Sequence, residues 1–311
     1  MISYLILHYN RPYLLDINIK LIRKYFSDIQ IVVADDGSDP EVINMISKFA
    51  IDDLYVQKRN QNTWKEGSCS TTIKKSRKLC KHDFIVFSED DFFYCAQPVS
   101  EPYDTKENNI MPLIFFPDKV NINIIDEGIN LLTNYSNIKN VQLAKDPMRL
   151  PVAEKINSKN AEWFFVNHKI KKACYYCNWP SLLRRNDYYS VPIDSGRAIW
   201  NFEAVFSKAV DHSFGKGNWA VVPPKRYYVH VGMPFSKRLN TFIYSEKRAK
   251  FGRKVQLQAF NKIVNQDIEG FNKFLIQSYL SNKFYIDFDE MLSVGLNEAF
   301  LLAFERLAKY V

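Results

Sequence analysis

Apolar residues fill Ile2 to Leu7 almost without interruption, the mark of a strand covered on both faces, and Asn10-Arg11-Pro12 breaks the run. Leu14, Ile17, Ile19, Leu21, Ile22 and Tyr25 then recur at roughly helical spacing, and Ile29–Ala34 reads as a second buried strand that stops at Asp35-Asp36-Gly37-Ser38. The pattern continues with a helix over 40–50, a short strand over 54–57 and a helix over 64–80 whose outer face is rich in Lys and Arg. An apolar strand over 83–87 ends abruptly in Ser88-Glu89-Asp90-Asp91. Strands alternating with helices predict an α/β fold, a mostly parallel sheet flanked by helices and joined by right-handed crossovers. Ligands of such sheets bind beyond the carboxyl ends of the strands, so the polar residues collected there become the candidates.

Beyond residue 95 the pattern loosens. Residues 98–160 are rich in Pro, Asn and Asp and yield no assignable element. Asn201 suits the N-cap of a helix running to about Asp211 and ending near Gly215, with strands to follow at 219–222 and 227–231. From Thr241 onward the periodicity is mostly helical, and Leu292, Leu296, Phe300 and Phe304 form an apolar stripe. The expected organisation is one domain over 1–240, its two halves meeting at 95/96, and a C-terminal helical extension over 241–311.

Of the 311 residues 47% are hydrophobic and 15% aromatic, enough for a substantial core, which excludes disorder, collagen and coiled coil. The longest apolar runs, 110–116 and 299–304, fall well short of the roughly 18–20 residues that cross a bilayer, so no transmembrane segment is expected. The N-terminus lacks a basic leader and reads as a first strand, pointing to a cytoplasmic protein. Five cysteines fit reduced thiols, and the Cys174/Cys177 pair, with no second pair beside it, reads as packing. Residues 221–254 hold nine Lys/Arg and one acid, a balance of +8 that equals the formal net charge of the whole chain. Such a cluster attracts something anionic or forms a solvated face.

Two acidic groups terminate two apolar strands. Asp35-Asp36 serves equally well as a turn and cap. Glu89-Asp90-Asp91, followed at once by Phe92-Phe93-Tyr94, sets charge beside a buried aromatic segment, where an uncompensated carboxylate is costly. Oxygen ligands of this kind suit Mg2+ or Mn2+.

The order of a strand then HYNRP, a strand then ADDGSD, a segment RNQNTWKEG, and a strand then SEDDFFY resembles the nucleotide-binding half of GT-A fold glycosyltransferases of the family 2 type, over roughly residues 2–95. The resemblance implies a nucleotide-sugar-binding half at 1–95 and an acceptor-binding half at 96–240. It places Asp35 on the nucleotide base with Asp36 close by, Tyr9, Asn10 and Arg11 along the base pocket, and Asn62 in the segment between. It puts Asp90 near the ribose and Asp91 on a divalent cation, Mn2+ or Mg2+, that bridges the diphosphate of a UDP-sugar donor. Glu89, a further candidate ligand of that cation, stands where the family often has Asp or a small residue, so a strict D-x-D is absent.

An inverting transfer of this kind also needs a carboxylate base. Glu203, on the first turn of the helix that Asn201 caps, fits that role; it also simply suits the positive end of a helix dipole. Asp194 and Glu162 stand in reserve. His230 is a candidate metal ligand or a satisfied core residue, and Lys237 a candidate diphosphate contact. The basic residues Lys225, Arg226, Lys237, Arg238, Lys247, Arg248, Lys250, Arg253 and Lys254 leave the acceptor open between a bacterial surface glycan, with peripheral membrane contact, and a hydroxymethylated base in phage DNA. The mixture of Tyr175, Tyr176, Trp179, Arg184, Arg185, Tyr188 and Tyr189 reads as a stacking surface for a sugar or an extruded base, or as core. A non-catalytic nucleic-acid-binding protein is the alternative from another class.

Overall fold

The structure, a computed structural model, describes residues 1–9, 12–58, 68–100, 114–115, 123–144, 152–166, 180–192, 209–210, 212–215 and 219–230. The elements in chain order are β1 (Ile2–His8), α1 (Pro12–Tyr25), β2 (Ile29–Asp35), α2 (Pro40–Ile46), β3 (Asp53–Val56), α3 (Ser68–Ser76) and β4 (Phe84–Glu89). There follow β5 (Phe92–Ser100), β6 (Ile114–Phe115), α4 (Ile124–Asn134), β7 (Asn140–Gln142), β8 (Val152–Asn157), β9 (Glu162–Val166), β10 (Ser181–Arg184), α5 (Arg185–Ser190), β11 (Ala220–Val222) and β12 (Arg226–His230). The fold is mixed α/β, as the alternation predicts. The chain clusters into two units, 1–96 with 120–228 and 97–119 with 229–311, and the candidate site belongs to the first.

A nine-stranded sheet in the order β3-β2-β1-β4-β10-β7-β11-β9-β8 forms the centre. Its first four strands are parallel, β10 runs against β4 and β7, and β9 runs against β11 and β8. All seven residues of β2 are buried, as are Ser3, Tyr4, Leu5 and Ile6 of β1, which is what continuous apolar runs covered on both faces predict. A smaller sheet has the order β12-β5-β6.

Two apolar clusters cover the faces of the large sheet. One gathers Tyr4, Ile6, Ile31, Val33, Val86, Val141 and Leu182 beneath α1 and α4, and the other gathers Leu5, Val32, Ile85, Phe87, Leu183, Tyr188 and Val222 beneath α3 and α5. Strand alternation assigns neighbours in sequence to opposite clusters. Within the segment 98–160, where the sequence pattern gives nothing, the structure has α4, capped by the Asn123 side chain accepting from the Ile125 and Asp126 amides. The hairpin β8–β9 is tied to α4 through buried Glu127, which accepts from Ser158 and Asn160. The helix expected over 64–80 is observed as α3 followed by a 3-10 turn at Arg77–Leu79, with 59–67 outside the described residues. Gly215, at φ 75°, stands just beyond helical residues 212–214, where the sequence places the helix end. The expected C-terminal helical extension and the Cys174/Cys177 pair lie outside the described residues. No helix among the described residues is long and apolar enough to cross a membrane. Burial pushes the Cys80 thiol up to about 12, so it is an inert core group.

Gly128 sets how closely α4 lies on β7 and β10, because a Cβ there meets Leu182 Cδ2 at 2.9 Å and Val141 Cγ1 at 3.3 Å. Gly128→Ala gains about 1 kcal/mol of helix propensity and loses about 1–3 kcal/mol to overpacking. Chemical denaturation should show a net loss of stability.

Candidate functional site

Strand β1 lies between β2 and β4, so the two acid-tipped strands are neighbours once removed, their axes about 10 Å apart. Two short aspartates cannot span that gap. The residue that does is His8, the last of β1, whose ring is buried between them. Its Nδ1 lies 2.9 Å from Asp35 Oδ2 and its Nε2 lies 3.9 Å from Asp90 Oδ2. The main chain of β1 fixes the same three strand ends: the Asp36 amide donates to the His8 carbonyl at 2.9 Å and the Asp90 amide to the Leu7 carbonyl at 3.0 Å.

Asp35 is saturated. Its Oδ1 accepts from the Gly37 and Ser38 amides at 3.0 and 2.8 Å, and its Oδ2 from His8 Nδ1 and from Ser38 Oγ at 2.5 Å. Gly37 makes this turn at φ 81°, a conformation glycine adopts without strain. A carboxylate offers about four lone-pair sites, and the turn and His8 occupy that many, so a contact between Asp35 and a nucleobase requires displacing one of them. Burial by itself raises the Asp35 pKa, but the hydrogen bonds from His8 and Ser38 outweigh it and hold the carboxyl below the usual range. Asp36 differs. It is half-buried and accepts from Thr72 Oγ1 of α3 at 2.7 Å.

On the other side, Asp90 and Asp91 are buried in the turn between β4 and β5, and Glu89 is half-buried. From α1, the amide of buried Asn18 reaches the Glu89 and Asp90 carbonyls at 3.5 and 3.4 Å. Among the described residues no three His, Cys, Asp or Glu side chains converge as a ligand set. The donor chemistry still fits Mg2+ or Mn2+, since such cations are typically held by one or two carboxylates together with substrate phosphates and water. Asp91 and its neighbours offer that many.

The structure thus places Asp35 and Asp36 at the end of β2 and Glu89, Asp90 and Asp91 at and just beyond the end of β4, on either side of β1, which ends in half-buried Tyr9. Asn10, Arg11, Asn62, Asp194, Glu203 and Lys237 lie outside the described residues, as do the side chains of Arg226 and His230. Of the basic stretch only Lys225 has a described side chain. Glu162 opens β9, four strands from β4 and therefore about 19 Å away, and pairs with Lys155 at 3.0 Å, so it is no part of this site. The Arg77 guanidinium lies 5.6 and 5.5 Å from the ring centroids of Tyr188 and Tyr189, while Arg184 donates to the Leu132 carbonyl in the last turn of α4 and to the Tyr135 and Ile138 carbonyls just beyond it. That end of the aromatic and arginine mixture is packing.

Comparison with known families adds one observation: residues 3–100 match the family described as glycosyl transferase family 2. Over this stretch the chain is similar to the family 2 glycosyltransferases. The resemblance drawn from the sequence is confirmed over the strands that carry the site, and the enzyme class is glycosyltransferase. Solved structures similar to this chain include glucosyl-3-phosphoglycerate synthase from Mycobacterium tuberculosis in complex with Mn2+ and UDP-glucose, at 12% identity over 81% of this chain and 78% of that chain, TM-score 0.43. Mannosyl-3-phosphoglycerate synthase from Rubrobacter xylanophilus aligns at 13% identity over 87% and 75%, TM-score 0.43. A mannosyltransferase from Pyrobaculum calidifontis in complex with GDP-Man and Mn2+ aligns at 9% identity over 99% and 86%, TM-score 0.44. No curated protein matches by sequence.

Sequence reading passed over His8, Ser38, Thr72 and Asn18. The one available signal was a histidine closing an apolar strand beside two that end in acids. Replacing His8 with Leu leaves buried Asp35 short of a donor and should cost about 3–5 kcal/mol in urea denaturation at neutral pH. Because Asp35 titrates lower in the folded state, its contribution is fully present above the unfolded value of about 4 and disappears as pH falls through the lower folded value. The stability gap between wild type and Asp35→Asn should therefore narrow on acidification below about pH 4.

Proposed function

We propose that this glycosyltransferase moves a sugar from a nucleotide-diphosphate sugar, a UDP-sugar, to an acceptor hydroxyl with inversion, using Mn2+ or Mg2+. The observation that carries the reading is the meeting of the β2 and β4 acidic ends across His8, at the carboxyl edge of the parallel strands where such folds bind nucleotides. Asp36, oriented by Thr72, and Tyr9 face the nucleoside. Asp35 acts on it indirectly, by fixing the turn and the His8 ring. Asp90 lies toward the ribose, and Asp91 holds the cation with Glu89 as a further candidate ligand. When bound, the cation stabilises negative charge developing on the departing diphosphate. Glu203 takes the proton from the attacking hydroxyl, with Asp194 as the reserve; Lys237 contacts the diphosphate and His230 is a candidate ligand of the cation.

The acceptor we propose is a glycan hydroxyl. A hydroxymethylated DNA base is the competing acceptor, and it depends on the basic residues between 225 and 254.

A thermal-shift panel of UDP, GDP, CDP and TDP, each with and without Mn2+, tests the donor. One nucleotide should raise the melting temperature only with the cation present, and Asp91→Ala should weaken its binding by about tenfold or more while the protein stays folded. Stabilisation by none of them, together with DNA binding that falls steeply with salt, would favour the non-catalytic nucleic-acid reading. Glu203→Gln should lower turnover by about 10²–10⁴-fold with nucleotide-sugar binding intact. Full retained turnover would move the base to Asp194.

A further inference from the structure

The large sheet carries a second polar feature, two strands away from the acids. Asn140 and Gln142 of β7 and Ser181 of β10 are 0, 2 and 0% exposed. Both amide atoms of Asn140, both of Gln142 and the Ser181 hydroxyl have no hydrogen-bond partner within the protein among the described residues. The three form one patch. Ser181 pairs in register with Gln142 on one side and Phe87 on the other, and Asn140 pairs with Leu183 and Ala220. Since Val141 and Leu182 pack beneath α4, alternation points all three polar side chains to the opposite face, among Phe87, Leu183 and Ala220.

Elsewhere in this unit the buried amide of Gln30 is fully paired, and buried Asn18 leaves only its Oδ1 without a partner among the described residues. Gln30 accepts from Ser3 and from the Lys81 amide, and donates to Asp53 and to the Leu79 carbonyl. Burying an amide with neither its donor nor its acceptor paired is strongly unfavourable, and such groups in native proteins mark places that bind something polar. The chemistry of the patch narrows what that is. Carboxamides and a hydroxyl offer donors and acceptors in equal measure, and their register neighbours Phe87, Leu183 and Ala220 carry no charge that would neutralise a buried anion. Ser181 and Gln142 also sit level with Phe87, two residues short of Glu89 on the same face, at the edge where the acids collect.

We propose that Asn140, Gln142 and Ser181 form a subsite for the hydroxyl groups of an uncharged sugar ring in the acceptor, placed beside the carboxylate turn. This rests on the sugar-transfer reading and specifies its acceptor as a neutral glycan. A phosphorylated small acceptor or a DNA phosphate does not suit it.

The test uses the full-length protein loaded with Mg2+ and the nucleotide diphosphate that stabilises it. Binding of the methyl glycosides of glucose, galactose, mannose and N-acetylglucosamine is followed by saturation-transfer NMR for wild type, Gln142→Leu and the gentler Ser181→Ala. At least one glycoside should bind wild type, with affinity about tenfold or more lower in Gln142→Leu and a smaller loss in Ser181→Ala, while the nucleotide stays bound. If the nucleotide binds but no glycoside does, or a glycoside binds all three proteins alike, the subsite is wrong. A higher melting temperature in Gln142→Leu with glycoside affinity unchanged would identify a patch served by water alone. Failure of every nucleotide to bind would instead remove the sugar-transfer reading on which the subsite depends.

Discussion

The buried contact of His8 with Asp35 is the constraint on which the site depends. Parallel strands deliver their carboxyl ends to one edge, but they also hold β2 and β4 a full strand apart, and aspartate is too short to close that distance. An imidazole on the intervening strand reaches both ways, 2.9 Å to Asp35 and 3.9 Å toward Asp90. Two buried carboxylates this close repel each other unless a donor stands between them. The histidine is therefore what allows two acidic strand ends to coexist at the edge of an apolar sheet.

Around this centre the protein divides the work between saturated and half-buried acids. Asp35 directs its four acceptor sites inward, fixing the Gly37 turn and the His8 ring. Asp36, one residue further on, keeps one oxygen on Thr72 and reaches the surface. The helices contribute through the same ends: α3 supplies Thr72 and α1 supplies Asn18 to the β4 turn. Each brings a single polar side chain to a place where the sheet core stops, so the apolar packing that orders the helices also aims the site.

The sheet itself was legible in the sequence because its central strands are covered on both faces. A run such as Ile29–Ala34 has no polar alternation to confuse, and all of β2 is buried. The acids were legible because they break those runs. His8 was not, since its role follows from the strand order β2-β1-β4, a non-local fact that no spacing along the chain encodes. The saturation of Asp35 was equally hidden: ADDGS is the same string whether its first carboxylate faces a ligand or its own turn. In the second half, β7, β10 and β11 are only three or four residues long, too short for a period to declare itself, and Gln142 and Asn140 interrupt the one apolar signal they carry. Arg184 and Tyr188 looked able to bind because arginine and tyrosine do so elsewhere. Here they serve the helix ends and the core.

The most direct measurement is an anomalous-difference map from crystals grown with UDP and Mn2+. A manganese peak at the Asp91 carboxylate, with the nucleoside lying over β1 against Asp36 and the His8 ring still between Asp35 and Asp90, is the predicted result. Manganese and nucleotide bound away from the β2 and β4 ends, or a His8 ring turned out of the gap while both acids stay buried, would contradict the account.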